Sequence, residues 1–182
     1  MAGAVTLAGA WPLPLPWIDI HRGAAPLHLV AEPDTLARVA KAIGVEVVAS
    51  LTADLTLRPW LDGVEIAGRI KAVVTRICGV SLEPFDEDVM APLLSIRVVP
   101  AGSPNAANVQ GGALIVDPEA EDPPDELTGG ALDIGAYIVE HLALALSPFP
   151  RKPGAVFESL TASARLSPFA ALAALKPRPP KD

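Results

Sequence analysis

Apolar and polar positions change period along the chain, and each change predicts an element. From residue 34, Leu36, Val39, Ala40 and Ile43 recur at i, i+3, i+4 and i+7, the single apolar face of a short helix over 34–43. Asp34 after Pro33 is the expected N-cap, Gly44 the expected C-terminal stop. The period then drops to two. Leu51, Ala53, Leu55 and Leu57 alternate with Ser50, Thr52, Asp54 and Thr56, which predicts a half-buried strand. Asp62-Gly63 predicts a hairpin turn. The return strand places Val64, Ile66, Ile70, Val74 and Cys78 on one face and Glu65, Arg69, Lys71 and Thr75 on the other, with Gly68 as a bulge site. A third strand is expected within 88–99, ended by Pro100-Ala101-Gly102.

Three strands joined by short connections predict an α+β fold: an antiparallel β-meander with helices packed on one face. Residues 1–14 read as a flexible N-terminal tail, and Pro14–Ile20 as an extended segment anchored by Trp17. Residues 100–130, rich in Pro, Gly, Asn and acids, read as a long acidic loop insertion, with a weak strand at 113–116. Helix 133–146 follows, N-capped by Asp133, then the stiff turn Pro148–Pro153. The main domain therefore spans 15–153. Residues 154–182 form a basic, Pro-rich tail in which Ser167-Pro168 starts a short helical motif with Phe169, Leu172 and Leu175 on one side. About ten residues do not hold a helix alone in water, so that motif needs a groove, in this domain or in a partner.

Half of the 182 residues are apolar, enough for one core. Net charge is −7, with the excess confined to one place: residues 111–130 carry six acids and no base. Residues 131–182 carry six bases against four acids. The acidity therefore reports one loop, although a dedicated nucleic-acid binder is usually strongly basic. One cysteine excludes an intramolecular disulfide framework and suits a reducing cytoplasm. The uncharged first eighteen residues lack a basic n-region and are interrupted by Gly and Pro, so neither a signal peptide nor a membrane anchor is expected.

Candidate chemistry is thin. Cys78 is the one thiol nucleophile, and His21, His28 and His141 are the imidazoles that could activate it, none in a recognisable motif. The alternative is a small buried hydrophobe on the Val64–Val74 face. One thiol and scattered histidines do not make a zinc site. His141 reads as a packed helix histidine. Asp133 and Glu140 could pair as carboxylates, but Asp133 is better explained as a cap. No phosphate-binding glycine loop is present, so no cofactor or metal is expected. The basic side chains offer more. Arg69 and Lys71 share a strand face with Arg58 on the partner strand, and Arg151 and Lys152 project from the proline turn. Together with Phe169, Leu172, Leu175 and Lys176 of the tail, they are the candidates for contact with RNA phosphates or a partner. An ordinary solvated face is the alternative.

Several segments, in order and spacing, carry a resemblance to a known family. They are Cys78 with Leu82-Glu83-Pro84, Leu132–Gly135 with Glu140–Leu146, Pro148-Phe149-Pro150-Arg151-Lys152-Pro153-Gly154, and Pro168-Phe169-Ala170 through Leu175-Lys176. Over residues 15–176 the chain resembles the YceD family, the large ribosomal RNA subunit accumulation proteins. Many relatives have a C-x-x-C pair where this chain has Cys78-Gly79-Val80-Ser81, so a metal role in relatives does not carry over. The resemblance implies a cytoplasmic, non-enzymatic factor in large-subunit biogenesis whose partner is large-subunit rRNA, a pre-ribosomal particle or a ribosomal protein, with no membrane. The alternatives are an adaptor or chaperone for a basic ribosomal protein without RNA contact and, less simply, a Cys78 hydrolase.

Overall fold

The computed structural model describes residues 7–17, 25–106, 109–110, 113–114, 123–127 and 129–156. The fold is mixed α and β, mostly strand, with a sheet that is largely antiparallel. In chain order the elements are α1 (Leu7–Ala10), β1 (Pro14–Pro16), β2 (Ala25–Val30), α2 (Pro33–Ile43), β3 (Val47–Trp60), β4 (Gly63–Ile77), β5 (Pro84–Pro100), β6 (Val109–Gln110), β7 (Ala113–Leu114), β8 (Asp125–Leu127), β9 (Ala131–Asp133) and α3 (Ile134–Ala145).

The main sheet has the order β2-β3-β4-β5-β8. Its first four strands are antiparallel neighbours, and β8 joins β5 in parallel at Val98–Pro100. The predicted alternation holds in β3, where Leu51, Ala53, Leu55 and Leu57 are all buried. Val64, Ile66, Ile70, Ala72 and Val74 of β4 continue the same apolar face, and Ile134, Ile138, Val139 and Leu142 of α3 join Val39 of α2 in one core. These burials drive the fold, because apolar surface leaves water on one face only.

Several boundaries differ from expectation. The helix starts one residue earlier than expected: Pro33 occupies the first turn and Glu32 is the N-cap, with no side-chain cap bond. Proline fits that position because its missing N–H would be unpaired there anyway. Asp34 is therefore a first-turn acid and not the cap. Gly44 closes the helix in the left-handed region (φ 72°), as expected. The β3–β4 turn is centred on Leu61 and Asp62, since Trp60 pairs with Gly63. Leu61 itself takes the positive φ, 51°. Gly63 serves packing: a Cβ there would lie 2.2 Å from the carbonyl oxygen of Val98. The irregularity expected at Gly68 is present between Ile66 and Gly68, and the additional residue lies on β5.

Residues 1–14 are not wholly a tail. Ala10 and Trp11 are buried, and α1 packs against α2 and α3. The acidic region is not wholly a loop either: β6 pairs with β7, Asp125–Leu127 extends the main sheet, and the Asn105 amide donates to Asp62 at 2.8 Å. Residues 115–122 and 157–182, which include most of the acidic run and the predicted tail helix, lie outside the described residues. Among the described residues no helix is long and apolar enough to cross a membrane.

Candidate functional site

The motif Leu132-Asp133-Ile134-Gly135 builds a junction. β1 and β9 pair antiparallel, with Leu15 opposite Leu132. Asp133 caps α3: its Oδ1 accepts from the N–H groups of Gly135 and Ala136 at 3.1 and 3.4 Å, and also from Leu13 at 2.9 Å. One carboxylate thus satisfies helix donors and the N-terminal strand together, which fixes the cap reading over a catalytic carboxylate pair with Glu140. Gly135 is required by a close approach, since a Cβ there would lie 1.6 Å from the carbonyl oxygen of Trp11. His141 is half-buried on α3, and its Nδ1 lies 2.9 Å from the Tyr137 carbonyl oxygen.

At the far end of the sheet, the β4–β5 connection and the proline turn after α3 form a second junction around Cys78. The sulfur is completely buried. It accepts backbone N–H donors from Val80 and Ser81, both at 3.4 Å, and from Lys152 at 3.3 Å. The hydroxyl of Ser81, then its N–H, pull the Cys78 thiol down to about 6 against the opposing effect of burial, with the Lys152 and Val80 N–H groups adding to the lowering. Hydrogen bonds to the charged form have that sign. Cys78 is buried, as a packed strand-end residue would be, and its sulfur also accepts three backbone N–H groups. None of these donors is an imidazole, and the Cys78 side chain has no exposed surface.

The same junction is held by main-chain and side-chain bonds. Gly79 N–H donates to the Pro150 carbonyl at 2.8 Å, and Cys78 and Glu83 are bonded N–H to carbonyl at 2.9 Å. Arg76 pairs with Glu87 at 3.0 Å and donates to the Ser147 carbonyl at 2.7 Å. Lys152 Nζ lies 2.9 Å from Glu83 Oε2, and this ammonium holds Glu83 below its usual carboxylate range. The Ser147 hydroxyl accepts from Phe149 N–H at 3.3 Å. Arg151 donates to the Ala155 carbonyl at 3.1 Å. This frame carries exposed side chains at the tip of the proline turn and its neighbouring loop: Phe149 is 84% exposed, Leu82 75% and Val156 76%, and Arg151 is exposed too. Leu82 takes a positive φ of 59° to reach its place. The sequence reading picked Arg151 and Lys152 from this turn. Phe149 and Leu82 are not among the sequence candidates; for Phe149 the available signal is an aromatic between Pro148 and Pro150.

Arg58, Arg69 and Lys71 are exposed on the solvent face of the sheet, as expected. They are interleaved with acids. Arg58 stands opposite Glu65, and Arg69 opposite Asp54. Asp54 is lowered from its usual range chiefly by its bond to His28, with Lys71 and Arg69 adding to it. Arg97 lies opposite Glu65 and 5.0 Å over the Trp60 ring. This face is a mixed-charge surface, not a basic stripe. Phe169, Leu172, Leu175 and Lys176 lie outside the described residues.

A third feature is a polar pocket of about 190 Å³ between β5, β8 and α3, lined by Ser95, Arg97, Asp125, Tyr137, Glu140 and His141. The Tyr137 hydroxyl donates to Asp125 at 2.9 Å, and burial and then the Asp125 carboxylate push its ionisation well above the usual range. Among the described residues no group of three or more His, Cys, Asp and Glu side chains could hold a metal ion. No family model, curated protein or solved structure matches the chain.

Proposed function

We propose that the protein is a non-enzymatic, cytoplasmic assembly factor of the large ribosomal subunit, related to the YceD family, that supports accumulation or processing of large-subunit rRNA. Its domain would be an antiparallel meander with helices on one face, carrying an acidic insertion and a C-terminal helical tail. The observation that carries the reading is the tip. Phe149 is an exposed aromatic on a frame whose backbone is pinned at both ends, with the Arg151 guanidinium two residues away. Unstacked RNA bases stack on such aromatics, and guanidinium groups take the flanking phosphates. Preorganisation lowers the ordering cost of such contacts. The Cys78 hub belongs to this reading as the clamp that joins Lys152 to the hairpin. The test is capture from cell extract with and without nuclease: the reading expects large-subunit rRNA with the intact protein, and its loss with Phe149→Ala combined with Arg151→Ala.

One observation favours a second reading. The polar pocket holds Asp125 and Glu140 beside Tyr137, with Arg97 and His141 also on its wall, and its carboxylates would suit a cationic side chain of a basic ribosomal protein. An adaptor of that kind would retain its protein partner after nuclease treatment.

A further inference from the structure

A larger hollow lies elsewhere, between α2 and the start of β3. It holds about 540 Å³ and is lined mainly by apolar side chains, Leu36, Ala37, Ala40, Val45, Val47 and Val48 among them. β2 covers β3 only from Thr52 to Leu57, so this end of the strand has no sheet neighbour on that side among the described residues. Val47 is 49% exposed as a result. A smaller depression of about 190 Å³ continues from it. It shares Val45 and Glu46 and reaches Arg76, Ile77 and Pro150. The two make one path from the helix α2 groove to the proline turn.

We infer that this groove is the seat of the chain's own segment Ser167–Lys176. Three observations converge on that occupant. The first is where the described chain ends: Val156 follows directly on the turn whose Pro150 borders the path. The second is length. Ten residues, 157–166, separate Val156 from Ser167 and span up to ~33 Å when extended, while a ten-residue helix is only ~15 Å long. The third is chemistry. Phe169, Leu172 and Leu175 form an apolar stripe that needs cover to be helical at all, and the groove offers apolar cover of matching character. Glu46 lines the groove with Glu32 and Asp34 exposed beside Pro33 at its edge, against Lys41 on the same wall and Arg76 on the continuation, while residues 165–181 carry four bases and no acid. Docked there, the segment would bring Lys176, Arg178 and Lys181 to the same region of the molecule as the path to the tip. The inference does not depend on what the tip binds.

Amide hydrogen exchange on the full chain tests it, against the chain ending at Arg165 and against the full-length variant Leu172→Asp. The expected result is exchange at least tenfold faster over 36–48 in both altered proteins, with protection in the intact protein unchanged on hundredfold dilution. Should the shortened chain fail to fold, the full-length variant decides alone. Equal exchange over 36–48 in the intact and Leu172→Asp proteins would overturn the assignment. So would protection that fades on dilution, which would place a second copy's segment in the groove.

Discussion

A methyl group at position 135 has nowhere to go, because the atom it would meet, 1.6 Å away, is the main-chain carbonyl oxygen of Trp11. Backbone cannot rotate aside as a side chain can. Gly135→Ala is expected to cost at least about 3 kcal/mol, the upper range for overpacking, read by urea denaturation. An Ala136→Gly control on the same helix should cost only about 1 kcal/mol. Cys78 makes a prediction with a definite pH window. Its thiol sits at about 6 in the folded protein, against about 8.5 in an unfolded chain. A lowered acid stabilises the fold above the unfolded value and loses that contribution as pH falls through the folded one. The intact protein should therefore gain stability relative to Cys78→Ala as pH rises from about 6 to about 9, with no further gain beyond. Measured melting temperatures should show that difference widen across the window. A constant difference would show that the sulfur does not titrate there. At pH 9 the variant should melt roughly 5 °C lower, a shift typical of losing a small group of bonds in a domain of this size.

Among the elements, the tip and the acidic region respond differently to removal. Phe149→Ala should leave the melting temperature within about 1 °C, because an 84% exposed ring buries little. Deleting 117–122 should likewise leave the fold intact, whereas deleting 125–127 removes a strand and the Tyr137 partner and should lower the melting temperature by several degrees. Circular dichroism melts distinguish the two deletions. The elements that were legible in the sequence are those whose cause is local. The period-two run at 51–57 and the face Leu36–Ile43 declare themselves within a dozen residues, as does Asp133 as a cap. The elements that were missed depend on distant partners. Trp11 is buried with its carbonyl against Gly135 of the helix that begins at 134, β8 is defined by pairing with β5, and the donors on Cys78 include one 74 residues along the chain. No pattern around residue 78 announces Lys152. The sheet cations share one face, but their opposite acids sit on neighbouring strands, so that face is mixed in charge, as the solvated-face alternative has it.

For the whole molecule, the two junctions divide the labour. Asp133 and Gly135 tie the N-terminal strand to α3, and the Cys78 hub ties the end of that helix's turn to the β4–β5 hairpin. These ties hold the proline turn against the sheet, where its exposed Phe149 and Arg151 are proposed to meet rRNA of the large subunit. The most direct measurement is the affinity of the purified protein for large-subunit rRNA as a function of salt, for the intact chain and for Phe149→Ala with Arg151→Ala. Affinity is expected to fall steeply with rising salt, as counterion release requires, and the double variant to lose at least tenfold at every salt concentration while melting like the intact protein. Equal affinity of the two proteins, or no measurable binding by the intact chain, would contradict the proposed role.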